Sequence, residues 1–210
     1  MDASLIGAAM LFFMALAHAG EPEAENGPEE RFDRAVFAGG CFWCMQPAFD
    51  RLKGVVSTAV GYTGGHVANP TYEQVSSGTT GHVEAIEIVF DPDRIGFGEL
   101  IETFWKNIDP AQADGQFADR GPQYHTVIFY NSEEQRRTAE DSMREMERSG
   151  KFGNRIATEL RPAGPFYRAE EYHQEYYLKN PMRYTLYKLG SGRQSFLEKK
   201  WGLGSHRRPS

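Results

Sequence analysis

Cysteine is almost missing from this chain. Only Cys41 and Cys44 occur in 210 residues, which excludes a disulfide framework. A tetrahedral zinc site also falls short of ligands, because no second Cys pair or closely spaced His pair completes it. Residue 45 is Met, so the C-x-x-C-H of haem attachment is absent. Runs of Lys or Arg are no longer than two, and the formal net charge is −6. The basic face of a nucleic-acid-binding domain is therefore lacking. There is no internal repeat. No uncharged apolar run reaches the roughly 20 residues of a comfortable membrane-spanning helix.

The N-terminal segment has an apolar run of intermediate length. Ala3 to Gly20 carries no charge, and Ala17-His18-Ala19 supplies the small residues of an A-x-A cleavage site. A basic region ahead of the apolar core is lacking, since Asp2 is the one charge there, and no Cys follows to accept a lipid. We expect residues 1–19 to be a signal peptide, placing the protein in the periplasm or another extracytoplasmic compartment. An uncleaved N-terminal anchor is the alternative. Residues 20–31 read as an acidic linker, and 32–210 as the folded domain.

Within that domain the patterns alternate. Arg34 to Gly40 reads as a strand ending in two glycines, and Pro47 to Lys53 as a helix. Val55 to Tyr62 is a second strand, closed by Gly64-Gly65. Thr71 with Gln74 has the form of a capping box, and His82 to Phe90 is a strand stopped by Asp91-Pro92. Phe97, Leu100, Ile101, Phe104, Trp105 and Ile108 share one helical face. Tyr124 to Tyr130 reads as a strand. Ser132 and Gln135 open a second capping box, before a polar helix to about Ser149 with i, i+4 pairs Glu133/Arg137 and Glu140/Arg144. Ile156 to Leu160 is a last strand, and an aromatic-rich, irregular C-terminal segment follows. The class is α+β: a single domain with a mixed sheet flanked by helices.

The chemistry concentrates at the C-x-x-C. Cys41 follows a strand and two glycines, where a helix would begin; the positive end of the helix dipole favours a thiolate there. A bond between cysteines three apart closes a very small loop. It constrains the unfolded chain little, which makes it a poor staple and a good redox switch. Phe42 and Trp43 beside the thiol can form an apolar pocket, or simply pack in the core. Glu84, if His82 to Phe90 is a strand, lies on the face of Ile86, Ile88 and Phe90. Burial there raises a carboxyl pKa and makes a general acid; a surface carboxylate at the strand's start is the plain alternative.

Taken together the motifs resemble those of the A-type peptide methionine sulfoxide reductases. The resemblance runs through Gly39-Gly40-Cys41-Phe42-Trp43-Cys44 and Gly61-Tyr62-Thr63-Gly64-Gly65, then Asn69-Pro70-Thr71-Tyr72-Glu73 and Ser77 to Glu84. It resumes at Asp119 to Tyr124 and Ala169 to Gln174, so it spans about residues 34 to 190. It implies a ferredoxin-like sandwich core and thiol-dependent reduction of methionine S-sulfoxide, in proteins and also free, as repair of oxidative damage. Cys41 would be the nucleophile and Glu84 the acid. Tyr72 and Tyr124 would bond the sulfoxide oxygen, Asp119 would stand beside the site, and Phe42 and Trp43 would hold the substrate methyl.

The resemblance further implies a Cys41 sulfenic acid that Cys44 resolves as a disulfide, opened by a thioredoxin-like or other dithiol reductant. Relatives with further cysteines in the C-terminal tail differ from this chain, which has none there. No bound cofactor and no metal are expected, no nucleic-acid partner, and a monomer. Tyr167, Tyr172, Tyr176 and Tyr177 are expected to wrap the core, and His173 to be a structural, hydrogen-bonded histidine. Two rival readings are a disulfide oxidoreductase, in which Glu84 would have no role, and an exported redox sensor without turnover.

Overall fold

A computed structural model describes residues 31–153 and 155–202. The signal-peptide expectation for residues 1–19, and most of the linker, lie outside the described residues. The chain opens with β1 (Asp33–Gly39) and α1 (Phe42–Phe49), then β2 (Val55–Thr63), α2 (Tyr72–Ser76), β3 (Val83–Phe90) and α3 (Phe97–Trp105). Short β4 (Gly115–Gln116) and β5 (Asp119–Arg120) pair with each other. A single 3-10 turn, Pro122–Tyr124, precedes β6 (Thr126–Tyr130) and α4 (Glu133–Arg148). The chain closes with β7 (Glu159–Pro162), β8 (Tyr167–Arg168), α5 (Tyr176–Lys179), α6 (Pro181–Gly190) and α7 (Arg193–Trp201).

Six strands form one sheet in the order β7-β6-β1-β3-β2-β8. β1 is antiparallel to β3 and β6, and β3 to β2, while β6 and β7 run parallel. The connections through α1, from β1 to β2, and through α3, from β3 to β6, each join strands separated by a third, giving two interleaved βαβ units with central order β6-β1-β3-β2. That is the ferredoxin-like arrangement.

Alternation along β3 decides which side chains face the helices. Ile86, Ile88 and Phe90 enter a core with Phe37, Phe49, Leu100, Ile101 and Phe104. Val83 and Ala85 point to the opposite face and pack with Val36, Ala38, Val127 and Phe129. Even-numbered positions therefore look toward α1 and α3, and Glu84 is one of them. The helical face expected over 97–108 buries Leu100, Ile101, Phe104 and Trp105, with Glu99 accepting the Gly96 N–H at 3.0 Å.

Four local expectations change. The first helix runs over 42–49 rather than 47–53, so Pro47 lies inside it and the Trp43 carbonyl loses its i+4 donor. The helix starts early because Gly40, at φ 77°, turns the chain immediately after β1. A Cβ at Gly40 would stand 2.4 Å from that of Gln116. The Thr71–Gln74 box is complete, whereas Ser132 makes only half of one. Its hydroxyl accepts the Gln135 N–H, but the Gln135 amide turns to the Asn131 N–H and the Arg34 carbonyl.

The C-terminal segment is not long and irregular: it carries α5, α6 and α7. Pro181 begins α6 as an N1 proline does. This helix buries no residue fully and exposes Met182, Leu186 and Leu189, so its sequence has no core-facing apolar period to read. Tyr176 is buried, but Tyr172 is 53% exposed and does not wrap the core.

Candidate active site

The site begins where β1 ends. Gly39 must be small, because a Cβ there would lie 2.5 Å from Met45 Sδ. Cys41 is the N-cap of α1 and makes no side-chain capping bond, and the first turn of α1 holds no acidic residue. Its unsatisfied amides are met from another strand instead: the Phe42 N–H donates to Glu84 Oε2 at 3.0 Å. Glu84, paired with Tyr62 in the β2–β3 ladder, is fixed by the sheet to face this turn.

A cavity of about 100 Å³ opens there, lined by Cys41, Phe42, Trp43 and Glu84 from one side. Tyr72 comes to it from α2, Tyr124 from the 3-10 turn, Asp119 from β5 and Tyr187 from α6. Seven of the eight site residues read from the sequence thus meet in one cavity. The eighth, Cys44, is buried one turn along α1; its backbone N–H donates to the Cys41 carbonyl at 3.0 Å, and both thiols are free.

The electrostatics separate the groups. Burial pushes the Glu84 carboxyl up to about 8, outweighing the Phe42 N–H that favours its charge. It is therefore predominantly protonated at neutrality. Cys41 departs from the expectation of a helix-dipole thiolate. Burial first, then the Cys44 thiol and the Glu84 charge, hold its pKa well above the ordinary thiol value. Cys44 moves the other way, to about 7: the Cys41 hydrogen bond lowers it first, against burial, with Arg193 and Lys188 adding positive potential. Burial raises the phenols of Tyr72 and Tyr124, which stay neutral.

The apolar wall is tied from behind. Trp43 stacks on Tyr176 at 3.8 Å between centroids and 6° between planes, an arrangement worth about 1 kcal/mol beyond burial. Its indole N–H donates to His173 Nδ1 at 3.0 Å. Glu170 accepts the Tyr62 hydroxyl and the Tyr72 N–H, each at 2.8 Å, seating both tyrosines. His173 is thus a buried, hydrogen-bonded part of the wall.

Tyr187 was not singled out in the sequence. Its hydroxyl donates to Asp119 Oδ2 at 2.5 Å and reaches the Cys41 thiol. The one sequence signal for it is the i, i+3 spacing with Tyr184, which puts two phenols on the same side of α6. Among the described residues, no cluster of three or more His, Cys, Asp or Glu could hold a metal ion.

A thiol held protonated and a carboxyl held neutral thus line the same cavity. The fold and this pairing define a thiol-dependent oxidoreductase rather than a plain disulfide exchanger. A family model described as peptide methionine sulfoxide reductase matches residues 33–204. Peptide methionine sulfoxide reductase MsrA of Bacillus licheniformis is 53% identical over 173 residues, 82% of this chain and 96% of the relative. Its counterpart in Ligilactobacillus salivarius is 54% identical over 169 residues, 80% and 98%. Of solved structures, methionine sulfoxide reductase A of Corynebacterium diphtheriae matches with a TM-score of 0.66 at 32% identity, over 78% of each chain. Mxr1 from Saccharomyces cerevisiae in reduced form gives 0.67 at 31% identity, over 73% of this chain and 88% of that one. This chain belongs to the MsrA family of peptide methionine sulfoxide reductases. Its reaction is the reduction of methionine sulfoxide.

Proposed function

We propose that Cys41 reduces the S epimer of methionine sulfoxide with Glu84 as its acid. The observation that carries this reading is the buried Glu84 carboxyl, raised to about 8, in the same cavity as Cys41. Phe42 and Trp43 take the methyl group, and the neutral phenols of Tyr72 and Tyr124 donate to the sulfoxide oxygen. Glu84 protonates that oxygen as the Cys41 sulfur attacks the substrate sulfur. The S–O bond of the substrate breaks, methionine leaves, and the oxygen stays on Cys41 as a sulfenic acid. In sum the thiol proton ends on that new hydroxyl, and the sulfur of Cys41 is oxidised as the substrate sulfur is reduced. Positioned proton donation of this kind contributes about 10²–10⁴-fold. Asp119, fixed by Tyr187, orients that phenol toward the thiol.

Cys44 then attacks the sulfenic sulfur, forming a disulfide and expelling water, and a thioredoxin-like dithiol reopens it. The proximity of the two thiols on α1 supports this step, as does the lack of cysteine elsewhere in the chain. Oxidised proteins carrying methionine sulfoxide are the substrates, and the apolar N-terminus directs the protein out of the cytoplasm, with cleavage near Ala19. Fractionation and N-terminal sequencing test export: a cytoplasmic chain starting at Met1 removes it. Reduction of peptides carrying separated S and R epimers, with dithiothreitol, tests the chemistry. Turnover of the S epimer alone, reduced by at least about 1,000-fold in Cys41→Ser, is expected. Turnover of neither epimer by folded, reduced protein overturns the reading.

A further inference from the structure

Arg193 is the one arginine among the described residues that is almost fully buried, at 1% exposure. It opens α7 and reaches back under the turn that carries the cysteines. Its Nη2 donates to the Gly39 carbonyl at 3.0 Å and its Nη1 to the Asn107 carbonyl at 2.5 Å. Nη1 also lies 3.9 Å from Met45 Sδ, on the residue after Cys44. The guanidinium carbon sits 4.6 Å from the Phe117 ring centroid. Among the described residues no carboxylate pairs with it. A buried cation held only by carbonyls, a thioether and a ring is costly unless some other negative charge uses it.

We propose that Arg193 is a positioning residue for the recycling half of the reaction, its buried charge holding Cys44 as the thiolate that attacks oxidised Cys41. The inference rests on the reading of Cys44 as the resolving thiol. The surroundings of Cys44 agree with it. Cys41 lies beside it at the start of α1, Arg193 and Lys188 bring positive charge from α7 and α6, and Asp119 on β5 opposes them, while the Tyr184 phenol on α6 is raised and stays neutral. The two cations, together with the hydrogen bond from Cys41, outweigh burial and bring Cys44 to about 7. In the step itself the Cys44 thiolate attacks the sulfenic sulfur, the S–S bond forms and the S–O bond breaks. Hydroxide leaves with a proton from solvent as water, and no external oxidant or reductant is consumed. A planar guanidinium meets the Gly39 and Asn107 carbonyls at once, which a lysine ammonium does less well; charge and bracing can therefore be separated by substitution.

The test uses the full chain with Arg193→Met and Arg193→Lys. Thiolate absorbance of Cys44, titrated in the Cys41→Ser background, is expected to have its midpoint below the ordinary thiol value, lowered by Arg193 and Lys188. Arg193→Met raises it by about one unit, a ten-fold fall in the ratio of thiolate to thiol and about five-fold in thiolate at pH 7, and Arg193→Lys restores most of the shift. With one equivalent of methionine sulfoxide and no reductant, Arg193→Met slows disulfide formation about five-fold at neutral pH while methionine release changes less than about two-fold. Equal slowing of both steps would mark a purely structural brace and overturn the proposal. So would a Cys44 midpoint at the ordinary thiol value in the parent, which needs no Arg193 variant to fold. If Arg193→Met does not fold, a raised midpoint in Arg193→Lys overturns it and an unchanged one supports it. The titration stands whether or not sulfoxide is turned over, so failure of the reductase reading is seen separately.

Discussion

Cys41 and Cys44 lie one helical turn apart, yet their surroundings act on them in opposite directions. Cys41 faces the cavity, with the Glu84 carboxyl at its shoulder, and its proton is held tightly. Cys44 faces inward toward Arg193 and Lys188, and its proton is held loosely. Apart from the hydrogen bond between the two thiols, neither environment comes from α1 itself. The acid arrives from β3, 42 positions beyond Phe42, and the guanidinium from α7, 154 positions beyond Gly39. Spacing in a C-x-x-C motif sets which sulfur can reach which. The bond between the two thiols, the sheet and the C-terminal helices together set which sulfur is ionised.

The largest test of this contrast is at the acid. Glu84→Gln keeps the shape and an acceptor for the Phe42 N–H but cannot supply the proton, so kcat/KM should fall by about 10²–10⁴-fold. In the wild type the same parameter should decline as pH rises through about 8, where Glu84 ionises, and that limb should vanish in the variant. Stability should carry the same signature. The folded pKa of about 8 lies above the ordinary value of 4.5, so folding retains a proton that the unfolded chain releases. The Glu84 contribution is full below 4.5 and is lost as pH rises to about 8. The midpoint temperature of Glu84→Gln relative to wild type should thus climb across that window. A flat difference would mean Glu84 is not protonated in the folded protein.

A smaller effect is expected at the second thiol. Cys44→Ser should release its first equivalent of methionine at nearly the wild-type rate, then accumulate a sulfenic acid that dimedone traps. Steady-state turnover with a protein dithiol should drop about ten-fold, because an outside thiol must now reach a buried sulfur. The absence of a dimedone adduct, with turnover intact, would break the division of labour between the cysteines. The smallest effect belongs to Tyr187→Phe. It removes one hydrogen bond to Asp119 and should cost roughly 1 kcal/mol, about five-fold in kcat/KM. No change would show that Asp119 is positioned without it.

The parts legible in the sequence are those with a local rule behind them. The face of Glu84 followed from strand alternation, α3 from its apolar period, and α2 from the Thr71–Gln74 box. Tyr187 and Arg193 were not legible for the same reason in each case. They reach the site from α6 and α7, helices whose apolar residues point to solvent or are too few to form a stripe, so no periodicity announces them. The offset of α1 had a different cause: a proline is most at home at the start of a helix, but the Gly39-Gly40 turn forced the start several residues earlier. The protonation of Cys41 escaped because the helix dipole is local, whereas burial against Glu84 is a property of the assembled fold.

The hydrogen bond from Trp43 to His173 has a consequence for acid solution. Because the indole can only donate, Nδ1 of His173 must be the bare nitrogen, and the ring proton sits on Nε2, buried without a hydrogen-bond partner. Burial holds the His173 pKa below its ordinary value, which keeps this tautomer in place at neutral pH. Once acid adds a proton to Nδ1, two N–H groups confront each other and the tryptophan loses its anchor. On the proposed mechanism the working range is then bounded by two buried groups acting on different objects, Glu84 on the proton supply at the alkaline edge and His173 on the shape of the wall at the acid edge.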